Sequence, residues 1–212
     1  MADTEINVLY TDKWLTVCSK PQGVDSEKDM PDLLSRQLGG DIYCVHRLDK
    51  ATGGLIVYAR GQEAAAALHT LVSQRAIRKE YSAVVQGRPE PPSGQMRDLL
   101  YRDARQNKSY VVKRMRRGVK EAELAYSLRA SCRELSLVDV HLITGRTHQI
   151  RVQFASRGMP LAGDLKYGSL YRTCPLALWS CRLAFTHPFT GEALDLSDTP
   201  PHLWPWTEFE KS

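Results

Sequence analysis

Three short clusters hold the side chains with the most chemistry to offer: His46-Arg47-Leu48-Asp49, Arg78-Lys79-Glu80-Tyr81, and Thr144-Gly145-Arg146-Thr147-His148-Gln149-Ile150-Arg151. Asp49 lies between two apolar, β-branched runs at residues 43–45 and 55–58. A carboxylate beside residues that seek a core needs a cation or several hydrogen bonds to stay ionised. Held that way it is a reagent, a nucleophile or a base. Each cluster alone also has a structural explanation. Asp49 could cap a turn before Thr52-Gly53-Gly54, Tyr81 could be a strand aromatic, and Arg151 a helix surface residue. His46 and His148 could be hydrogen-bonded structural histidines.

The elements that must position these residues are legible from spacing. Residues 6–10 and 15–19 alternate around Thr11-Asp12-Lys13 and predict a β-hairpin, ended by Lys20-Pro21-Gln22-Gly23. A short helix is expected from Pro31 to Leu38, stopped by Gly39-Gly40. Strands at about 42–47 and 54–59 bracket Asp49, and the Ala- and Leu-rich stretch 62–75 predicts a helix. Further strands are expected at 80–86, 124–128, 135–143, 177–185 and 193–196, with a loop at 88–94 and a helix from Thr147 to Arg157. Strands often follow one another directly. This predicts an α+β fold, a mixed, largely antiparallel β-sheet with flanking helices, in a single domain with its core at about 6–200.

The chain has 212 residues, 29 Lys plus Arg against 24 Asp plus Glu, and a net charge of +5. The segment from Arg102 to Lys120 holds eight cations (102, 105, 108, 113, 114, 116, 117, 120) and one acid, Asp103, so it exceeds the charge excess of the whole protein. Tyr101 and Tyr110 are interleaved with it. Such a stripe fits a phosphate backbone, and it also fits a solvated loop. No apolar run approaches the roughly 20 residues that span a bilayer, so no membrane association is expected. The start Met-Ala-Asp-Thr-Glu lacks the features of a signal peptide. Five cysteines (18, 44, 132, 174, 181) without a CxxC pair are expected to be reduced thiols of a cytoplasmic protein. The six histidines show no metal-ligand spacing, which speaks against a metal-dependent nuclease, and no metal or cofactor is expected.

Taken together, HRLDxxTxGL, KxY about thirty residues later, and TGRTHQIRVxxAxxGxPLxGDxxYG resemble the pseudouridine synthases of the RluA type. Lys20-Pro21-x-Gly23 and the closing Thr186-His-Pro-Phe-Thr-Gly-Glu192 match as well, and the order holds from Lys20 to about Pro200. The resemblance implies an isomerase, an RNA pseudouridine synthase acting on ribosomal or transfer RNA, with the target nucleotide flipped out for reaction. The family's essential aspartate falls on Asp49, its active-site tyrosine on Tyr81 and its partner arginine on Arg151. Arg47 matches the arginine that enters the space left in the RNA. His46, Arg146 and His148, together with Lys113, Arg114, Arg116 and Arg117 of the basic segment, are expected to contact RNA. A monomer is expected. The rival reading, a non-catalytic RNA-binding protein on the same scaffold, would not need Asp49, Tyr81 and Arg151 as a set.

Three positions depart from the family pattern: Gly53 for the usual Ser, Gln153 for a His, and Leu178-Trp179-Ser180 for Leu-His-Ala. Only about nineteen residues precede Lys20-Pro21, so no S4-like RNA-binding domain is expected, and the 102–120 segment is the candidate to replace it.

Overall fold

The structure is a computed structural model that describes residues 5–210. Its fold is α+β with mostly antiparallel strand pairing, and it comprises two compact units. Of the described residues, the first holds 5–79 together with Trp179–Thr199, and the second holds Glu80–Leu178 together with 200–210. Among the described residues no helix is long and apolar enough to cross a membrane.

In the first unit the hairpin expected from alternation is present as β1 (Asn7–Thr11) and β2 (Leu15–Lys20). Helix α1 (Asp29–Leu38) begins two residues before Pro31, because Asp25 supplies its start: the Asp25 carboxylate accepts the N–H groups of Glu27 and Lys28 at 2.8 and 3.0 Å. Strand β3 (Ile42–Cys44) is shorter than predicted and pairs with β4 (Gly53–Arg60), the central strand of this unit. Both faces of β4 are out of water. Leu55, Val57 and Ala59 pack with Leu15 and Val17 of β2 and with Ala64 and Leu68 of α2 (Gln62–Ser73). Each of the Leu and Val side chains contributes about 1.5–3 kcal/mol on full burial. β2 lies antiparallel to β4, β10 (Leu178–Thr186) joins β4 in parallel, and β11 (Ala193–Ser197) closes the edge.

The second unit is an antiparallel sheet in the order β5 (Arg78–Gln86), β9 (Leu135–Leu142), β8 (Val119–Cys132), β6 (Ser93–Asp103), β7 (Lys108–Val112). Two strands, β6 and β7, occupy the stretch that sequence spacing left as loop and basic stripe. Helix α3 (Gln149–Ala155) follows β9 and is buried from Gln149 through Phe154. It starts at Gln149 rather than at Thr147 because His148 has left-handed backbone angles, φ 55 and ψ 25, which break the helical path.

Candidate active site

Asp49 stands in the loop joining β3 to β4, and the backbone of that loop is fixed at four successive carbonyls. Ser26 Oγ donates to Leu48 O at 2.9 Å, and the Thr52 N–H donates to Asp49 O at 2.9 Å. Lys50 O accepts the Gly23 N–H at 2.8 Å and Lys20 Nζ at 3.4 Å, while Gln22 Nε2 donates to Ala51 O at 2.8 Å. The segment Lys20-Pro21-Gln22-Gly23 therefore serves as a cradle for the loop, which is why a Pro-Gly turn directly follows β2. Gly23 has φ 84, the left-handed backbone that aims its N–H at Lys50.

Lys20 is fully buried, and its ammonium also donates to Pro21 O at 2.8 Å and Val24 O at 2.9 Å. Burial pulls its pKa down to about 8, an effect that the charges of Asp25 and Asp49 partly offset. Lys20 thus interacts electrostatically with Asp49 while tying the 21–24 turn to the carbonyl of Lys50, the next residue.

The neighbours of Asp49 have separate tasks. Strand β3 ends at Cys44, and the next inward donor of β4, the Val57 N–H, is taken by His46 Nε2 at 3.3 Å. Burial of the ring, with Lys79 nearby, holds the His46 pKa well below the ordinary histidine value. His46 is a neutral imidazole that extends the β3–β4 ladder, and in that state it has no charge to offer a phosphate. Arg47 is exposed and pairs with Glu27 at 2.9 Å.

The second unit gathers a different set. Arg151, on α3, donates from Nε to Asp164 Oδ2 at 2.7 Å and from Nη2 to Asp164 Oδ1 at 2.8 Å, with both side chains buried. Its guanidinium carbon lies 5.2 Å from the centre of the Tyr167 ring. The Tyr167 hydroxyl accepts the Ser109 N–H at 2.8 Å and lies 2.9 Å from His148 Nδ1. Ser109 Oγ donates to Thr147 O at 2.6 Å. The network joins β7, the turn before α3, and the 3-10 turn Leu165–Tyr167. His148, expected to contact RNA, is a buried member of it.

Gln149 is the keystone of the turn before α3. Its Oε1 accepts from Thr144 Oγ1 at 2.7 Å and from the Arg146 N–H at 3.0 Å, while its Nε2 donates to Glu123 O of β8 at 3.0 Å. Tyr81 lies on β5, buried, opposite Val140 of β9.

The RNA pseudouridylate synthase family matches residues 14–156, more than half of the chain. The chain belongs to that family. It is an RNA pseudouridine synthase, an isomerase. It is 37% identical over 218 residues to an uncharacterized RNA pseudouridine synthase of Mycobacterium bovis, covering 92% of this chain and 70% of that one. It is 29% identical over 226 residues to the tRNA pseudouridine synthase C of Salmonella typhi, covering 94% of this chain and 87% of that one. Among solved structures, human RNA Pseudouridylate Synthase Domain Containing 4 is similar, with a TM-score of 0.78 and 25% identity over 92% of this chain and 88% of that chain.

Two of the three departures from the synthase pattern prove to be one. Gly53 and Trp179 are register partners on β4 and β10, and a Cβ at position 53 would lie 2.1 Å from the indole. The indole is anchored by Nε1 to Asp198 Oδ2 at 3.2 Å, and the same oxygen accepts from Ser19 Oγ at 2.6 Å. Gly53 is not in the left-handed region, and the nearest atoms that a side chain there would meet all belong to the indole. Gln153 is fully buried and donates from Nε2 to Asp98 Oδ2 at 2.7 Å and Met96 O at 3.2 Å, which ties α3 to β6.

Asp164, Tyr167, Lys20 and Gln149 received no role from sequence reasoning. All four lie inside quoted motifs, so the signal was present, and what was absent was knowledge of their partners.

Proposed function

We propose that the chain converts uridine to pseudouridine in ribosomal or transfer RNA, as a monomer in the cytoplasm, with Asp49 as the nucleophile on a nucleotide flipped out of the RNA. In this isomerisation the bond from ribose C1′ to N1 breaks, the base turns, and C1′ joins C5. The C5 proton leaves and N1 gains one, so substrate and product have the same atoms. Asp49 attacks the ribose or assists departure of the base. Tyr81 stacks on the base and helps move the proton, and Arg151 supplies the cation that keeps a sheltered carboxylate ionised. Arg47 fills the space vacated in the RNA. Arg146, Lys113, Arg114, Arg116 and Arg117 contact phosphates, with His46 and His148 supporting the loops that carry Arg47 and Arg146.

The observation that carries the assignment of Asp49 is the anchoring of four successive carbonyls, at residues 48, 49, 50 and 51. Three of the four, at 48, 50 and 51, are held from residues 20–26; a loop that merely capped a turn would not need that second segment, whereas a nucleophile must be held in place before the reaction. Transfer RNA as substrate draws on the relative that is named for it. The test is Asp49→Asn, which keeps shape and removes charge. The variant folds and binds an in vitro transcribed tRNA or ribosomal RNA fragment as wild type does, and forms no pseudouridine. Pseudouridine formation by the variant at a rate near wild type would overturn the assignment.

A further inference from the structure

The second unit contains a pocket of about 170 Å³ whose walls include Arg102, Ser109, Lys120, Gly145, Arg146 and Thr147. That is more than ten times the roughly 10–15 Å³ a single water needs. The cross-strand register explains why these residues converge. Leu100 lies opposite Lys120, and Arg102 lies opposite Ser109. Residues two apart on a strand share a face, so all four project to one side of the sheet. The turn Gly145-Arg146-Thr147 covers that side, pinned by the bond from Ser109 Oγ to Thr147 O.

Three cations line the pocket and no carboxylate does. Neither Arg102 nor Lys120 takes part in an ion pair among the described residues. Arg146 is preset, because its Nε donates to Glu121 O at 2.9 Å and fixes the plane of the guanidinium. Like charges gathered around one cavity repel, and a bound anion relieves that repulsion. At Gly145 an added Cβ would meet open space, so the wall is open to an approaching ligand.

We propose that this pocket is a phosphate subsite that takes one phosphodiester group of the substrate RNA, held by Arg102, Lys120 and Arg146. The proposal rests on the reading of the chain as an RNA-modifying enzyme, and adds a discrete, shaped contact to it. The turn that forms the wall runs directly into His148 and α3. Occupancy therefore sets the position of a phosphate relative to Arg151, three residues beyond His148.

Binding of an in vitro transcribed tRNA to the full chain, measured across a salt series, tests this. Arg102→Gln with Lys120→Gln weakens affinity roughly tenfold at low salt and flattens the slope of log affinity against log salt by about 1.4, two contacts at about 0.7 each. Gly145→Leu fills the pocket without changing charge and weakens affinity by a similar factor. A control pair of exposed cations elsewhere in the same unit, Arg88→Gln with Arg133→Gln, stays within about twofold of wild type. Circular dichroism checks each fold, and the double glutamine variant decides alone if Gly145→Leu does not fold. A pocket variant indistinguishable from the control pair overturns the proposal. So does a thermal shift with inorganic phosphate that the double variant loses while its RNA affinity is unchanged, since the site would then take free phosphate. These measurements read binding alone, so a chain that binds in this pattern but forms no pseudouridine overturns the synthase mechanism and leaves the subsite standing.

Discussion

Arg151 and Asp164 meet edge to edge, two parallel hydrogen bonds of 2.7 and 2.8 Å joining them with both side chains out of water. The fork fixes the plane of the guanidinium as a single point charge would not. Removing one partner of a buried pair leaves a buried charge uncompensated, at a cost of about 3–5 kcal/mol. Asp164→Asn should therefore lower the melting temperature and the single-turnover rate, with RNA affinity changed only a few-fold. A thermodynamic cycle with Arg151→Met should show strong coupling, the double variant losing much less than the sum of the singles. Additive losses would show that Asp164 acts independently of Arg151.

The contact between Gly53 and Trp179 gives a second prediction. Gly53→Ser places a side chain where the indole stands and should destabilise the protein by about 1–3 kcal/mol, the usual cost of overpacking. Trp179→His added to it should restore most of that loss by vacating the space. Chemical denaturation of the two variants checks this, and failure of the second substitution to rescue would rule out the clash as the cause.

Lys20 gives a pH dependence. Its folded pKa of about 8 lies below the ordinary 10.5, because burial disfavours the charge. Below about pH 8 Lys20 is protonated in both folded and unfolded chains, and the cost of its buried charge is present in full. Between about 8 and 10.5 the unfolded chain keeps a proton that the folded chain has released, so the stability contribution rises with pH. Lys79, also drawn down to about 8 by burial, adds to the same trend. The slope of unfolding free energy against pH in this window should be shallower in Lys20→Met, the accumulated difference being on the order of 3 kcal/mol. Parallel curves for variant and wild type would refute it.

The exposed turn from Lys113 to Arg117 leads from β7 to β8, with the Arg116 guanidinium 5.1 Å from the Tyr101 ring centre. Lys113, Arg114, Arg116 and Arg117 changed together to Gln should weaken tRNA binding, with a loss that shrinks as salt rises. The salt slope should flatten by up to about 0.7 per lost phosphate contact to single strands. Turnover at saturating RNA should survive. An unchanged affinity and slope would make the turn a solvated surface.

Much of the fold was legible because the alternating strands and the Ala-rich helix α2 bury one clear set of side chains. Strands β6 and β7 were not, since Arg97, Asp98, Arg102 and Asp103 interrupt the alternation. The charged partners of the first two lie far along the chain, Glu123 for Arg97 at 2.8 Å and Arg157 for Asp98 at 2.9 Å, and a partner 26 or 59 residues away is invisible to local spacing. The basic segment was legible as charge but not as shape. The structure divides it into pocket walls at Arg102 and Lys120, an exposed turn at 113–117, and Lys108 against the rings of Tyr110 and Tyr167. Arg151 stood out by its motif, while Asp164 needed the fold to bring it across 13 residues. His46 and His148 could not be told from RNA contacts by residue type. Their hydrogen-bond partners, the Val57 N–H for His46 and the Tyr167 hydroxyl for His148, needed the fold to be seen.

The register partnership of Gly53 with Trp179 also constrains history. A side chain at 53 and an indole at 179 cannot both keep their present positions, since a Cβ would meet the ring at 2.1 Å. Of the two orders in which a serine and a histidine could be exchanged for this pair, the one through glycine passes a small void and the one through tryptophan passes a collision. With the indole anchored to Asp198, a return to serine carries the cost of overpacking unless position 179 changes with it. The pair therefore exchanges at least cost as a couple, glycine first and tryptophan second.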